Sequence, residues 1–473
     1  MPTVDTIVLL EAVLALMISI PQLLFYTTYA LLSWRALKYK PPTPQGGRMA
    51  RDISFIIPVR REPVEYLDEA VRYVHSLGIP GYEIIVVSDD DESVKQELYR
   101  RLDEWRRSGL NVWLVWRSMP VGFRTGALNT GLNLSNKDYI YVMDVDSRPE
   151  KCFFDNGVAL LEGSEDTIAV VGRWEPLNTN SRLGEALGYS MKFIVNAIYR
   201  GRSSLGLSVF PLGTGTLYKT RVLKNVLGGW DQERLQDDME IGSRIIYHGF
   251  NIVYLDSCAI YVENPSTYKA LRIQQSRWAY GAADTLVSRF KHIVASRQRL
   301  LGKIEALFFL SQYIVPSLVF LGTLVLAVYT LVNPVDILAR YLYLITALLL
   351  AEGLFGWFYY KSIREYNSSA WRTLVNMGRA SAVTTALSPY YFYNTIKAIL
   401  RIKVKYARTP KGAYQWEYKR LRIPWEIIIA VFFAASSVWC LMHGVVVTGL
   451  WILVNTLGYA YVAYRWPRDV ILS

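Results

Sequence analysis

Apolar residues are concentrated at the two ends of the chain, whereas the middle alternates short apolar runs with charged stretches. The first continuous apolar run covers residues 6–34, and further long runs follow residue 301. Because a helix needs about 20 apolar residues to cross a bilayer, runs of this length are typical of transmembrane helices. The pattern therefore predicts a membrane helix, a water-exposed domain and a second membrane region, in that order.

The first apolar run predicts an uncleaved transmembrane helix within residues 1–40. The run is too long for a signal-peptide core, and no small-residue cleavage site lies near its end. Arg35, Lys38 and Lys40 follow it at once, and basic residues favour the cytosolic side of a membrane. We therefore expect the domain that follows to be cytosolic.

Five apolar stretches lie in the C-terminal region, residues 302–473. They cover residues 304–332, 337–360, 374–396, 425–447 and 449–464. The third contains Asn376 and Arg379 and has basic residues on both sides, so we expect it to be an interfacial or re-entrant segment, at about 373–396, that does not cross. The sequence thus predicts about five crossings, one before the cytosolic domain and four after it.

Strand-like and helix-like runs alternate within residues 41–301, after a Pro- and Gly-rich linker at 41–47. Strands are predicted at 54–59, 83–88, 111–116 and 139–146, and helices at 64–77, 92–107 and 122–134. This alternation predicts an α/β domain with a mostly parallel, Rossmann-like sheet that is covered on both faces. Ligands of such sheets bind at the carboxyl ends of the strands.

Charge and cysteine content narrow the class of protein. The net charge of +12 is compatible with nucleic-acid binding, but much of the Lys and Arg flanks apolar runs, and no zinc-finger spacing is present. We therefore expect membrane lipid, and not nucleic acid, as a partner. Cys152, Cys258 and Cys440 are scattered and odd in number, which argues against a disulfide framework and against a Cys-based metal site.

Acidic residues follow three of the predicted strands. Glu62 comes after the first strand, Asp89 and Asp90 after the second, and Asp144 and Asp146 end the fourth. Asp144-Val145-Asp146 offers two carboxylates to Mg²⁺ or Mn²⁺, which prefer oxygen ligands and bridge phosphates. Alternatively, these acids are ordinary turn residues, and the cluster after the second strand is a helix N-terminus, where acids are favoured.

Two further motifs have both a chemical and a structural interpretation. Arg124 lies in a small-residue helix start that can approach a phosphate closely, or it is a surface residue after a glycine turn. Asp237 and Asp238 precede a helix, where an acid caps the helix or serves as a general base for a hydroxyl.

Gln274, Arg277 and Trp278 share one face of a predicted helix, since they are spaced i, i+3 and i+4. The guanidinium pairs with phosphate, and the indole gives a flat surface on which a sugar ring packs. The structural alternative is an interfacial helix with a Trp anchor.

Together these residues resemble the processive family 2 glycosyltransferases, which include the cellulose, chitin and hyaluronan synthases. The matching motifs occur in the order Pro58-Val59-Arg60-Arg61-Glu62-Pro63, Asp89-Asp90, Asp144-Val145-Asp146, Gly213-Thr214-Gly215-Thr216, Asp237-Asp238, Gln274-Gln275-Ser276-Arg277-Trp278 and Tyr406-Ala407-Arg408-Thr409-Pro410-Lys411. The departures are Gln236-Asp237 in place of Thr-Glu, Arg408 in place of Val, and Arg124 in place of Lys.

The resemblance implies a GT-A fold and an inverting enzyme that transfers sugar from a UDP-sugar to a growing polysaccharide, with a β-linkage and coupled export. It implies Asp238 as the catalytic base, with Mg or Mn held by Asp146 and Asp144. The implied acceptor contacts are Gln274, Trp278 and Asp237. The implied nucleotide contacts are Glu62, Asp89, Asp90, Arg124, Asp144, Arg277 and Lys411, the last in a gating-like loop at about 403–416.

Two other functions are compatible with the motifs. The first is transfer of a single sugar to a lipid acceptor such as ceramide or a polyprenyl carrier, which product size would distinguish from polymer synthesis. The second is a non-catalytic transporter or receptor, which would not need acids at the strand ends. We expect an integral protein of the plasma membrane with a cytosolic catalytic domain; the sequence does not identify the sugar or any accessory subunit.

Overall fold

A computed structural model describes residues 4–44, 49–364, 369–404 and 407–472. Residues 45–47 of the predicted linker, and Lys405 and Tyr406 of the predicted gating-like loop, lie outside these ranges. A single apolar helix, α1 (Val4–Ala36), precedes the α/β domain.

The α/β domain contains one eight-stranded sheet, in the order β3-β2-β1-β4-β7-β6-β8-β5. The strands are β1 (Ile53–Val59), β2 (Glu83–Ser88), β3 (Val112–Trp116), β4 (Tyr139–Val142), β5 (Arg148–Pro149), β6 (Thr167–Pro176), β7 (Thr216–Lys219) and β8 (Asn251–Val262). The pairs among β1 to β4 are all parallel, as predicted, whereas β7 is antiparallel to both β4 and β6. The sheet is therefore mixed, and the predicted parallel half is the half that follows the first membrane helix.

Helices cover both faces of this sheet. They are α2 (Val64–Ser76), α3 (Glu92–Arg107), α4 (Phe123–Leu134), α5 (Lys151–Glu162), α6 (Arg182–Phe193), α7 (Arg200–Ser204), α8 (Thr220–Asn225), α9 (Asp237–Tyr247) and α10 (Tyr268–Ala295), with a π-helical turn at Ile194–Tyr199. Successive residues of a strand point to opposite faces, so Phe55 joins the core under α2 and α3 while Ile56 joins the core under α4. Coverage on both faces explains why the strands are almost continuously apolar.

The C-terminal region is helical. Its helices are α11 (Leu300–Leu310), α12 (Ile314–Val332), α13 (Ile337–Arg340), α14 (Leu342–Arg364), α15 (Ala370–Ile399), α16 (Trp425–Met442), α17 (Val446–Arg465) and α18 (Pro467–Ile471). Five described helices are long and apolar enough to cross a membrane, namely α1, α12, α14, α16 and α17. The predicted stretch 304–332 is two helices, because the chain breaks at the polar residues Ser311 and Gln312 and at Tyr313.

Helix α15 contains the weak stretch of the sequence; its 30 residues are long enough to cross a membrane, but it is not apolar enough to count among the candidate spanning helices. Arg379 on this helix donates to Asn376 and to Glu185 of α6, which satisfies its guanidinium inside the protein. The interfacial position of α15 stays a prediction.

The expectation that the cysteines form no disulfide is wrong for one pair. Cys152 at the start of α5 is bonded to Cys258 on β8, while Cys440 is free and buried. The two bonded residues are 106 positions apart, so their spacing along the chain carried no signal of proximity. The sheet brings them together, because β8 pairs with β5 immediately before α5.

Candidate active site

A cavity of about 950 Å³ lies at the carboxyl ends of the parallel strands and continues between the helices of the membrane region. It brings together eleven of the twelve predicted site residues, namely Glu62, Asp89, Arg124, Asp144, Asp146, Asp237, Asp238, Gln274, Arg277, Trp278 and Lys411. Asp90 is the exception: its carboxylate accepts hydrogen bonds from the Arg61 backbone N–H and the Ser88 hydroxyl.

Arg124 links three parts of the site. It follows Gly122, whose φ of 75° begins α4 in the left-handed conformation that glycine tolerates. Its guanidinium donates to Asp144 Oδ1 at 2.5 Å, to the Gly213 carbonyl at 2.5 Å and to Asp237 Oδ2 at 3.2 Å. A planar guanidinium with five donors suits such a junction, so Arg124 fixes the strand-end acids relative to α9.

Asp144 and Asp146 lie in the turn after β4, which ends at Val142 and not at Asp146 as predicted. The backbone N–H of Asp144 donates to the Thr214 hydroxyl at 3.2 Å, which holds the turn against the Gly213-Thr214 segment. Burial alone would raise the pKa of Asp144, but Arg124 and Lys411 outweigh it and the pKa is lowered. Asp144 is therefore an anion at neutral pH.

Lys411 reaches the same turn from the C-terminal region. Its Nζ donates to Asp146 Oδ1 at 2.7 Å. Burial would lower the pKa of Lys411, but Asp146, Glu62 and Asp144 raise it, so the ammonium is retained. The Lys411 ammonium thus stands among the carboxylates to which a divalent cation would bind.

The carboxylates at the turn fit a divalent ion. Asp144 and Asp146 supply hard oxygen donors, and the buried Glu62 Oε2, which lies 3.4 Å from an Arg408 nitrogen, accepts no hydrogen bond from the described residues. Mg²⁺ is commonly held by one or two carboxylates together with substrate phosphates, so a full set of protein ligands is not required. Within the described ranges, the three potential metal ligands that lie close enough together to share one ion are Glu150, Cys152 and Cys258. The sulfur atoms of the two cysteines are joined in the disulfide.

Asp238 is a partly buried acid with a raised pKa. It lies in the first turn of α9, and its Oδ1 accepts the Met239 N–H at 2.7 Å. Burial and the neighbouring Asp237 carboxylate raise the pKa of Asp238 to about 7, against hydrogen bonds from Met239 and Gln236 that lower it. A Cβ on Gly213 would lie 3.6 Å from Asp238 Oδ2, so the glycine leaves that oxygen open to the cavity.

A buried ionic network fixes α9 behind Asp238. Glu240 accepts hydrogen bonds from Arg244 at 2.6 Å and from Arg289 of α10 at 2.8 Å. Arg289 also pairs with Asp231, which precedes the helix. Since paired buried charges hold their geometry, this network couples α9, which carries Asp238, to α10, which carries Trp278.

Helix α10 presents Gln274, Arg277 and Trp278 to the cavity on one face, as predicted. The first turn of the helix is anchored to the C-terminal end of the chain. Asp469 accepts the Tyr268 N–H at 2.8 Å, and the buried Arg272 donates to the Asp469 carbonyl. The helix that carries the indole is therefore anchored to α18.

Arg117 is a site residue that the sequence analysis did not identify. It follows β3 and pairs with Asp89 through two hydrogen bonds of 2.6 and 2.5 Å. It also donates to the carbonyls of Val121 and Phe123, so it orders the loop before α4. Arg117 could have been identified in the sequence from its position, because a basic residue at the end of a parallel strand lies on the same rim of the sheet as the acids.

The sequence analysis also missed two other residues that help to form the site, and both are remote along the chain from the predicted motifs. Trp174 on β6 donates from its indole N–H to the Thr214 carbonyl at 2.8 Å and lines the cavity. Gln415 holds the segment after Lys411, since its side chain accepts the Ser266 N–H at 2.8 Å and donates to Glu263 at 3.2 Å. Neither residue belongs to a recognisable local pattern.

Comparison with known proteins agrees with this geometry. The family model of glycosyl transferase family group 2 matches residues 139–360. A Sulfolobus acidocaldarius protein named "Probable glycosyltransferase" is 30% identical over 430 residues, which cover 88% of this chain and 90% of that protein. Glucomannan 4-beta-mannosyltransferase 7 of Arabidopsis thaliana is 28% identical over 282 residues, which cover 56% of this chain and 49% of the plant protein, about half its length.

Among solved structures, the mannosyltransferase PcManGT from Pyrobaculum calidifontis, in complex with GDP-Man and Mn²⁺, has a similar fold. Its TM-score is 0.56 at 18% identity, and the match covers 82% of this chain and 100% of that one. The mixed sheet and its acid-lined rim are those of a GT-A glycosyltransferase, here joined to a helical region with candidate membrane spans. The chain belongs to the family 2 glycosyltransferases.

Proposed function

We propose that this protein transfers a hexosyl group, with inversion, from a nucleoside diphosphate sugar to a hydroxyl of a growing glycan. The observation that carries the proposal is the meeting of Asp146, Asp238 and Trp278 in one cavity, although they come from three distant parts of the chain. Such a site combines an anion for a cation–diphosphate pair, a base and a surface for a sugar ring.

In the proposed mechanism Asp238 accepts the proton of the acceptor hydroxyl as its oxygen attacks the anomeric carbon. The bond to the diphosphate breaks on the opposite face, so an α-linked donor gives a β-linked product. Arg277, Arg124 and Lys411 provide positive charge where the diphosphate departs. Mg²⁺ or Mn²⁺ held by Asp146 and Asp144 would supply further Lewis-acid stabilisation of that leaving group.

Two donors are candidates. The resemblance found in the sequence favours a UDP-sugar, with its uracil ring beside Asp89. The named relatives favour GDP-mannose, since the Arabidopsis relative is a mannosyltransferase and the Pyrobaculum enzyme was solved with GDP-Man. Arg117 already pairs with both carboxylate oxygens of Asp89. The nucleobase of the donor is therefore recognised by the Asp89–Arg117 pair as a unit.

For the acceptor, we propose a growing β-linked polysaccharide with export coupled to synthesis, by an integral plasma-membrane protein whose α/β domain is cytosolic. The continuation of the cavity past Trp278 and Tyr313 into the membrane helices supports a path for the product. Transfer of one sugar to a lipid acceptor is the second candidate, and the apolar side chains of Phe355 and Met377, which line the cavity among the C-terminal helices, favour it.

The test uses the full-length protein in lipid nanodiscs with Mn²⁺ and a panel of UDP-hexoses, UDP-N-acetylhexosamines and GDP-mannose. Nucleotide release identifies the donor, and the size of labelled product distinguishes polymer from single addition. Asp238→Asn is expected to retain donor binding and to lose roughly 10²–10⁴-fold in rate, the scale of general-base catalysis. Asp155→Asn, which alters an ion pair with Lys151 outside the cavity, is the control. Near wild-type turnover of Asp238→Asn would exclude the assigned base.

A further inference from the structure

The membrane part of the cavity runs between α14 and α15, where Gly356 and Gly378 line it. Among the described residues, a Cβ at Gly378 would meet no atom within 4 Å, and a Cβ at Gly356 would meet Met377 Cε only at 4.0 Å. Glycines in membrane helices usually allow two backbones to approach closely. Here they face open space, so their effect is to leave a cleft between the two helices.

The depth of this cleft follows from the length of α14. At roughly 1.5 Å per residue, Gly356 lies about 12 Å and Glu352 about 18 Å from the end of the helix at Arg364. A hydrocarbon core is about 30 Å thick, so on the predicted topology the cleft opens at the level of the acyl chains of the inner leaflet.

Toward the predicted outer side the cavity borders an apolar cluster. Leu14, Ile18, Leu326, Ile337 and Ile345 form this buried cluster, and Trp451, which lines the cavity, packs against it. Beyond the cluster, Glu11 is paired with Arg340 and accepts the Tyr329 hydroxyl at 2.9 Å. Gly378 is exposed where it lines the cavity, so the cleft beside it joins the cavity to the outside of the helical region.

The side chains around the cleft match an acceptor with two chemically different ends. Phe355 and Met377 are apolar, which suits a hydrocarbon chain, whereas Ser381, Thr384 and Asn455 line the adjoining cavity with groups that bond sugar hydroxyls. On α15, Arg372 and Arg379 share the single carboxylate of Glu185. This leaves a positive charge near the cytosolic end of the cleft, where a lipid phosphate would lie.

We propose that the acceptor is a lipid-linked glycan, whose hydrocarbon chain enters between α14 and α15 while its sugar end reaches Asp238. The inference rests on the proposed glycosyl transfer and names the class of its acceptor. It applies whether one sugar or many are added, since a growing glycan can stay attached to its lipid throughout.

The experiment measures KM for alkyl glycosides of increasing chain length, from methyl to hexadecyl, in phosphatidylcholine nanodiscs. In the wild-type protein, KM is expected to fall by about tenfold or more along the series, the effect of burying roughly two methylene groups. Gly378→Trp fills the cleft. In this variant we expect the ratio of the KM for methyl glycoside to the KM for hexadecyl glycoside to approach the ratio set by partitioning of the glycosides into the bilayer. Val431→Trp on the exposed face of α16 adds the same bulk outside the cavity and is expected to keep the wild-type ratio.

If Gly378→Trp keeps the wild-type ratio, the cleft is not the entry site and the proposal fails. If that variant does not fold, Ser381→Leu provides the same comparison. A hexadecyl glycoside carrying a diazirine on its chain gives an independent readout: labelling within α14 and α15 supports the proposal, and labelling confined to α16 and α17 contradicts it. Failure of the transferase itself would appear differently, as no nucleotide release with any acceptor, including methyl glycoside.

Discussion

Lys411 donates to Asp146 across 265 residues of chain, with Nζ 2.7 Å from Oδ1. The contact closes the segment before α16 over the turn that carries the two strand-end acids. Because the ammonium lies among the carboxylates that would hold a divalent ion, we expect Lys411 to compete with the metal in the absence of a diphosphate. The pair links the C-terminal region to the proposed donor site.

Lys411→Met is therefore expected to have opposite effects on metal binding and on catalysis. Without donor, Mn²⁺ should bind more tightly by roughly tenfold, the order of one charge-assisted hydrogen bond. With donor, turnover should fall, because the leaving diphosphate loses a cation. Electron paramagnetic resonance of free Mn²⁺ measures the first effect and nucleotide release the second. Lys419→Met, which alters an exposed lysine, should change neither quantity; weaker Mn²⁺ binding by Lys411→Met would contradict the competition.

The pH dependence of the rate follows from Asp238, whose pKa burial and Asp237 raise to about 7. A general base acts when it is deprotonated, so activity is retained above this pKa and lost as the pH falls through it. We expect kcat/KM to decrease about tenfold per pH unit below pH 7. Measurement of kcat/KM from pH 5 to 9 tests this decrease, which is the acidic limb of the pH profile.

Asp237→Asn provides the complementary change. Removing the Asp237 charge takes away one of the groups that raise the pKa of Asp238, and it also frees Arg124 to act on that carboxylate. The acidic limb should therefore move to lower pH, whatever the change in maximal rate. A limb that stays in place would show that another group controls it.

The sequence was informative where function depends on local pattern. The parallel pairing of β1 to β4 follows from short apolar strands alternating with helices, and the rim of acids follows from that topology. The half of the sheet beyond β4 was not predicted, since β7 is antiparallel to both β4 and β6, and β6 pairs in parallel with β8 across two register shifts. Local periodicity does not encode such long-range pairing.

Side-chain direction was likewise beyond the sequence. Asp89 and Asp90 are adjacent and chemically identical, yet Asp89 faces the cavity while Asp90 is used to hold the backbone of Arg61. The partner of Asp89, Arg117, comes from the next strand of the sheet. The packing of the strands therefore determines which of the two acids faces the cavity.

Arg124→Lys tests whether geometry or charge is needed at the junction of the site. Lysine retains a positive charge, but a single ammonium cannot bond Asp144, Asp237 and the Gly213 carbonyl in the arrangement that the guanidinium provides. We expect kcat to fall by roughly tenfold to a hundredfold, the effect of misplaced catalytic groups, with a smaller change in KM for the donor. Arg100→Lys, on the exposed face of α3, is the matched control; wild-type kcat in Arg124→Lys would show that the positive charge alone suffices.

The Cys152–Cys258 disulfide predicts a stability that depends on redox conditions. The bond joins α5 to β8 and encloses the segment that carries Asp238, with the bonded residues 106 positions apart. Closing a loop of this length restricts the unfolded chain, and native disulfides typically contribute about 2–4 kcal/mol. Reductant, or Cys258→Ser, should lower the apparent Tm of the purified protein in nanodiscs. Cys440→Ser removes the buried free thiol, so this variant should retain the response to reductant. Equal Tm values with and without reductant, together with two alkylatable thiols at residues 152 and 258 in native protein, would show that the bond is absent.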